Sequence, residues 1–240
     1  MQITNLIDIN CDLGENESPY ERLKILPYIN SANISCGYHA GGNQQIYESI
    51  ANCTLHNIKV GAHPSFDDKK NFGRKAVNHS DEKILNDIST QMENFMKIAK
   101  ICNIKVNHIK PHGALYHLVC NNTEYANIFI ETLKKFKQKF FLYTLHNSII
   151  ETICKKKKIN FYSEYFFDRR YDSNSQLIKR SEKNALLIDP NDAISQIKNL
   201  IDFKELKKKK KKVTVCVHMD GKNSINMAKK LREFINSLDP

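Results

Sequence analysis

The segment Lys110-Pro111-His112-Gly113-Ala114-Leu115-Tyr116 follows directly on a short strand-like run at residues 106–109. Proline fixes one backbone angle and glycine is free to adopt positive φ, so the pattern predicts a tight turn between a strand and a helix. Such a turn presents Lys110 and His112 at the end of the strand, where barrel enzymes carry their catalytic groups. An ordinary strand-to-helix turn with a solvated lysine and histidine has the same local sequence.

Repetition of this arrangement favours the functional interpretation. Polar and ionisable residues also end short apolar runs at residues 8–12, 36–42, 61–64 and 217–221. The carboxyl ends of parallel barrel strands meet at one face, so these side chains are expected to converge there.

Strand and helix patterns alternate along the chain. Strands are predicted at residues 6–11, 31–36, 59–62, 105–109, 140–145, 159–164 and 213–217, with one further short strand at 186–188. Helices are predicted at residues 20–29, 44–57, 80–102, 113–136 with a break and new cap at 121–123, and 223–238. We therefore predict an α/β fold in which residues 1–240 form a single (β/α) barrel of about seven strands, joined by right-handed crossovers. An open doubly wound sheet is the alternative, but it would gather its polar strand ends at one switch point.

Composition narrows the class of protein. No run approaches the ~20 apolar residues of a membrane span and the N-terminus lacks a signal pattern, so a soluble, cytoplasmic protein is expected. The seven cysteines are scattered without C-x-x-C pairs, which argues against a disulfide framework and a zinc ribbon. The net charge of +11 comes mainly from lysine runs at residues 155–158 and 207–212. Such runs are usually solvated, so neither a nucleic acid nor a membrane is an expected partner.

Several nucleotide and hydrolase motifs are absent from the sequence. It contains no G-x-x-x-x-G-K-[ST] loop, no G-x-G-x-x-G, no G-x-S-x-G and no H-E-x-x-H. A nucleotide would need another binding mode or another polypeptide. The segment at residues 64–79 is predicted to be a long loop, and loops of this length in compact domains usually have a function.

Acidic residues of the first strand are candidates for the site. Asp8, Asn10 and Asp12 alternate and so point to one side, which in a barrel is the interior. Buried carboxylates need partners, and a metal ion, Lys110 or a protonated histidine would serve. Glu15 follows on the next loop.

Histidines end four of the predicted strands. His39, His63, His112 and His218 could meet in one pocket as acid/base groups or metal ligands, although a single histidine at a strand end is more often structural. The other histidines occupy less informative positions: 56, 79, 108, 117 and 146. Cys36 is better explained as a small buried residue than as a nucleophile. Arg74, beside Lys75, could clamp a carboxylate or a phosphate.

The motifs together resemble the LamB/YcsF family over nearly the whole chain. The matching stretches are Asp8-x-Asn10-x-Asp12-Leu13-Gly14-Glu15, residues 31–41, residues 61–66 with Phe72-Gly73-Arg74, Lys110 to Tyr116, Asp168-Arg169-x-Tyr171, Leu177 with Arg180, and Val217-His218-x-Asp220. The resemblance implies a barrel related to those of glycoside hydrolases and polysaccharide deacetylases. It also implies the role of the A subunit of an ATP-dependent 5-oxoprolinase, which opens the lactam of 5-oxoproline to glutamate with two partner subunits, B and C.

On this hypothesis, activated substrate comes from partners that bind ATP with this chain. The predicted catalytic residues are Asp12, Glu15, His39, His63, Lys110 and His112. Asp12 or Glu15 would hold or deprotonate water, His39 or His63 would move protons, and Lys110 with Arg74 would neutralise the substrate's negative charge. The predicted substrate-binding residues are Asp8, Asn10, Asn33, Arg74, Tyr116, Arg169, Tyr171, His218 and Asp220.

Two alternatives accompany this hypothesis. The first is a metal-dependent, deacetylase-like carbohydrate hydrolase with a divalent ion on Asp12, His39 and His63. The second is a binding barrel with weakened catalysis, because the chain departs from the family pattern around the proposed pocket. The departures are Gly42, Lys75, Ser175 and Met219, together with the lack of a glycine-rich stretch after Glu15.

Overall fold

The computed structural model describes residues 2–75, 80–221 and 223–239. Parallel strands close a barrel in sequence order, from β1 to β7, with β7 pairing back onto β1. The strands are β1 Ile7–Leu13, β2 Ser31–Ser35, β3 Lys59–His63, β4 His108–Ile109, β5 Phe141–Leu145, β6 Phe161–Phe166 and β7 Val213–Val217. The predicted single barrel of about seven strands is confirmed.

Helices surround the barrel. They are α1 Pro19–Ile25, α2 Asn43–Leu55, α3 Asp81–Ile101, α4 Gly113–Asn121, α5 Thr123–Lys134, α6 Ile149–Lys157, α7 Pro190–Leu200, α8 Phe203–Lys209 and α9 Ser224–Asn236. Within the described residues, none of the helices combines the length and apolar character needed to cross a membrane.

The prediction of an eighth strand at residues 186–188 is wrong. Leu186 makes only an isolated antiparallel bridge to Arg169, in the long connection between β6 and α7. The barrel closes by pairing β6 with β7, so this segment has no neighbouring edge to extend. It instead lies beside Asp168, whose backbone carbonyl accepts a 3.0 Å hydrogen bond from the Leu187 N–H.

The two faces of β1 separate the apolar shell from a polar interior. All seven residues of β1 are buried. Ile7, Ile9, Cys11 and Leu13 belong to the hydrophobic core around the barrel, and fully burying an aliphatic side chain contributes about 1.5–3 kcal/mol. The alternate residues, Asp8, Asn10 and Asp12, share polar contacts inside the barrel, as the period of two predicts.

Local signals set the helix starts. The Ser80 side chain accepts the Lys83 N–H at the start of α3, and the Asn122 side chain accepts N–H groups of Glu124 and Tyr125 at the start of α5. Both caps satisfy backbone donors that a helix leaves free at its first turn. The predicted break at 121–123 is therefore confirmed.

Two glycines allow the mouth of the barrel to close tightly. Gly73 and Gly113 both adopt positive φ, 63° and 52°. A Cβ on Gly73 would lie 2.9 Å from carbons of His39 and His112, so a larger residue would push these rings apart. The described part of the loop after β3 contains a 3-10 turn at Lys69–Asn71. His79 and the rest of residues 76–79 lie outside the described part of the chain.

Candidate active site

Lys110, directly after β4, forms a buried ion cluster at the centre of the barrel mouth. Its Nζ lies 3.0 Å from Asp12 Oδ1 and 3.1 Å from Glu164 Oε1, and the residue is 2% exposed. It also donates to Cys216 Sγ at 3.1 Å. Burial opposes the charged amine, yet Asp12, Cys216 and Glu164 raise the pKa of Lys110 well above its usual value. Its charge is thus balanced within the protein.

Asp12 is held as a carboxylate by its surroundings. Asn33 Nδ2 donates to Asp12 Oδ1 at 2.7 Å, and His63 Nε2 lies 3.3 Å from Oδ2. Burial alone would raise the pKa of Asp12, but the charges of His63 and Lys110 hold it well below its usual range.

Glu15 lies among three histidines: His63 ends β3, and His39 and His112 lie in the segments that follow β2 and β4. Its Oε1 is 2.8 Å from His39 Nε2, 3.5 Å from His112 Nδ1 and 4.0 Å from His63 Nε2. His63 Nε2 and His112 Nδ1 are themselves 2.9 Å apart. Burial and the charge of Asp12 raise the pKa of Glu15 to about 8, while burial lowers the pKa of His39 to about 3. We call Glu15, His39, His63 and His112 the Glu15 cluster, and its nitrogen and oxygen donors are suited to holding a metal ion.

A second histidine, His218 at the end of β7, also lies close to Asp12. His218 Nδ1 lies 2.9 Å from Asp168 Oδ1, and the backbone N–H of His218 donates to Asp168 Oδ2. The far nitrogen, Nε2, lies 3.7 Å from Asp12 Oδ2. Burial favours a neutral ring, but the negative charge of Asp168 outweighs it and raises the pKa of His218.

Arginines line the open side of the mouth. Arg74, from the loop after β3, and Arg180, from the loop after β6, both pair with the carboxylate of Asp220. Arg169 is 4% exposed, and its Nε has no hydrogen-bond partner among the described residues. A cavity of about 780 Å³ lies between these groups, with Asp12, His63, Lys110, His112, Tyr116 and His218 also in its wall. Two guanidinium groups that share one carboxylate leave an excess of positive charge for an anionic ligand.

Three residues predicted to bind substrate lie deeper than the cavity. Asp8 contacts Ser31, Lys59, Tyr143 and Thr214. Asn10 and Asn33 hydrogen-bond each other at 2.7 Å below Lys110. Each step of two residues along a strand moves the side chain by about 6.6 Å, so Asp8 is two layers below Asp12. Their contacts support the floor of the site.

Tyr116 and Tyr171 also serve the protein's own structure. The Tyr116 hydroxyl, in the cavity wall, donates to Glu164 Oε2 at 2.7 Å. The Tyr171 hydroxyl accepts the Phe166 N–H at 2.9 Å and so anchors the loop after β6.

Sequence reasoning missed Glu164 and Cys216, and assigned no role to Asp168. Glu164 is fully buried within a strand, and a lone acid in a predicted apolar strand was the available signal. For Asp168 the signal was the Asp168-Arg169-x-Tyr171 motif. Cys36 is 3% exposed and burial raises its thiol pKa to about 12, in agreement with the predicted buried role.

The predicted metal set of Asp12, His39 and His63 stays a prediction, and the structure places a different group of donor atoms together. Asp12 is engaged with Lys110 and Asn33, and Glu15 occupies the position among the histidines. The donor atoms of Glu15, His39, His63 and His112 all lie within 4.8 Å of one another.

Comparison with known proteins identifies the family. The LamB/YcsF family model matches residues 7–239. The chain belongs to the LamB/YcsF family. It is 35% identical to a protein from Staphylococcus aureus strain Newman that is named as the A subunit of 5-oxoprolinase, over 95% of each chain. The crystal structure of a lactam utilization protein from Thermus thermophilus has a TM-score of 0.83 and 27% identity, and covers 99% of this chain and 97% of that one.

More distant structures share the fold alone. Dispersin B matches with a TM-score of 0.53 at 10% identity, over 97% of each chain. Among the departures from the LamB/YcsF pattern, Ser175 has φ 58°, a conformation in which glycine is less strained. Met219 packs partly buried against the hydrophobic core beside His218.

Proposed function

We propose that this LamB/YcsF chain is the A subunit of a cytoplasmic, ATP-dependent 5-oxoprolinase. It would open the 5-oxoproline lactam to L-glutamate with two partner subunits, B and C, and ATP would be bound and used together with those partners. The name of the Staphylococcus aureus relative supports the reaction, and the name of the Thermus thermophilus structure supports a lactam substrate.

The observation that carries the proposal is the Asp168–His218 pair, which lies next to Asp12 in the wall of an arginine-lined cavity. Opening an amide requires a base for the attacking water and a proton for the departing nitrogen. Asp168 orients the His218 ring through Nδ1, so the His218 Nε2 atom is directed towards Asp12 and the cavity. One imidazole held in this way can accept a proton from water and pass it to the leaving nitrogen.

The other groups have distinct roles in this mechanism. Asp12, paired with the Lys110 ammonium, would orient the attacking water beside His218. Arg74 and Arg180 would bind the carboxylate of 5-oxoproline, or a phosphate on its activated carbonyl oxygen, in exchange for Asp220. Lys110 would act through Asp12, because both of its near carboxylates belong to the protein.

Reconstitution tests the proposal. The purified chain is mixed with its candidate partner subunits, 5-oxoproline and ATP, and glutamate release is measured. We expect turnover only from the complete mixture, and a loss of about a hundredfold or more in kcat for His218→Gln. Robust lactam opening by the isolated chain, or full activity of His218→Gln in the complex, would contradict this assignment.

The Glu15 cluster favours a second candidate, a metal-dependent, deacetylase-like hydrolase of carbohydrates. A divalent ion held by this cluster would supply Lewis-acid activation of water or of a carbonyl oxygen. Hydrolysis of N-acetylated sugars that needs metal and is indifferent to ATP would support this candidate over the first.

If instead Asp12→Ala, His63→Ala and Lys110→Ala all sustained growth on 5-oxoproline as nitrogen source, the chain would be a non-catalytic binding barrel.

A further inference from the structure

The hydrogen bonds of two histidines in the Glu15 cluster determine which of their ring nitrogens carry protons. His63 Nδ1 lies 2.7 Å from the backbone oxygen of Lys110, and His112 Nε2 lies 2.9 Å from the backbone oxygen of Phe72. A carbonyl oxygen can only accept, so both of these nitrogens must donate. In neutral rings, His63 Nε2 and His112 Nδ1 then carry lone pairs.

These two lone-pair nitrogens are 2.9 Å apart. Unprotonated nitrogens repel at this distance unless a cation lies between or beside them. Glu15 Oε1 completes a triangle with sides of 2.9, 3.5 and 4.0 Å. Ligands about 2.0–2.1 Å from a tetrahedral zinc ion are about 3.3–3.4 Å apart, so small movements of the three side chains would fit one.

His39 has a different part in the cluster. Its ring stacks on His112 with a centroid distance of 3.7 Å and an angle of 4° between the planes. An ion in the plane of one stacked ring lies well out of the plane of the other, so only one of the two rings can be a good ligand. His39 Nε2 instead lies 2.8 Å from Glu15 Oε1, where it can donate to the carboxylate and orient it.

We propose that Glu15, His63 and His112 bind a divalent transition-metal ion of the zinc type, with His39 as the positioning residue for Glu15. Two histidines and one glutamate are a common zinc ligand set that leaves a fourth position free. His63 and His112 line the cavity, so the free position faces the space where substrate would bind. The backbone carbonyls of Lys110 and Phe72 fix the ring orientations, as outer partners of metal-binding histidines usually do. The proposal does not depend on lactam opening.

The alternative to a metal ion between His63 and His112 is a proton. An imidazolium at His63 could donate from Nε2 to His112 Nδ1 or to Asp12 Oδ2, which is 3.3 Å away. A binding measurement separates the two occupants.

The test uses the full chain after removal of metal with a chelator. Titration with Co²⁺ is followed by visible absorption, and Zn²⁺ is then added as a competitor. We expect one equivalent of Co²⁺ per chain with a tetrahedral or five-coordinate spectrum, displaced by one equivalent of Zn²⁺. The absence of saturable binding by the folded wild-type chain would overturn the proposal and favour the proton.

Variants locate the ion. Glu15→Gln and His112→Gln should each weaken Zn²⁺ binding by at least about a hundredfold, and His39→Gln by roughly tenfold, as for an outer partner. His218→Gln tests the other donor group, Asp12, Cys216 and His218, and should retain wild-type affinity, as should the exposed control His56→Gln. Circular dichroism melts identify any variant that fails to fold. Wild-type affinity in folded Glu15→Gln and His112→Gln, or loss in His218→Gln, would refute the assignment.

Discussion

Lys110→Met keeps the apolar stem of the side chain and removes the charge that Asp12 and Glu164 share. Both carboxylates have side chains no more than 4% exposed, so solvent compensates little for the lost ammonium. Removing one partner from a buried ion pair destabilises a protein by about 3–5 kcal/mol. For a chain of this size each kcal/mol shifts the melting temperature by about 2–4 °C, which predicts a fall of roughly 6–20 °C.

Thermal melts by circular dichroism measure this effect, with glutamate release by the reconstituted complex measured in parallel. Lys134→Met is the matched control, because Lys134 is 56% exposed and pairs with Glu131 only at the surface. It should melt within about 2 °C of wild type. The double variant Lys110→Met/Glu164→Gln removes one of the two stranded charges, so it should regain part of the lost stability.

Two results would refute this reasoning. A Lys110→Met protein that melts within about 2 °C of wild type would show that the ion cluster is not structural. A double variant whose stability is simply the sum of two losses would show that Lys110 and Glu164 do not interact. If the single variant is also fully active, Lys110 has no role in orienting Asp12 either.

The lysine run, the Asp168–His218 pair and the paired arginines each carry a further prediction. Replacing Lys207, Lys208, Lys210 and Lys212 with Gln should leave melting temperature and turnover unchanged, since exposed like charges contribute little to folding stability. Loss of turnover in a folded variant would indicate that an acidic partner binds there. Asp168 raises the pKa of His218, so kcat/KM should increase with pH as His218 loses its proton. Asp168→Asn should move this increase to lower pH, and an unchanged pH profile would exclude His218 as the base. Arg180→Gln should raise KM for 5-oxoproline by about tenfold or more, because Arg180 and Arg74 share the carboxylate of Asp220 and so leave positive charge for the substrate. An unchanged KM in steady-state kinetics would show that Arg180 does not bind the substrate.

The His218 pair also affects stability with a definite sign. The folded pKa of His218 lies above its unfolded value, so its contribution is complete below the unfolded pKa of about 6.5. That contribution is lost as pH rises through the folded pKa. Urea unfolding of wild type and Asp168→Asn should therefore differ most in mildly acidic buffer and converge at higher pH.

The amino-acid pattern alone was enough to predict the barrel. Alternation of strands with helix-length spacers, the caps at Ser80 and Asn122, and the Pro111–Gly113 turn are all properties of neighbouring residues. These features can be predicted from short stretches of sequence because strand and helix periods repeat within a few residues. The same logic placed His39, His63 and His112 at one end of the barrel, where the structure brings them together.

Tertiary structure decided which groups meet across the barrel. Glu164 reaches Lys110 from β6, and Asp168 reaches His218 across the neighbouring strand end, although no local pattern links either pair. The sequence also did not determine how deep each side chain lies below the barrel mouth. Asp8 and Asp12 share one face of β1, but only Asp12 lies beside the cavity. A strand's period sets which side a residue faces, whereas the stagger between strands of the closed barrel sets the layer it shares with distant residues.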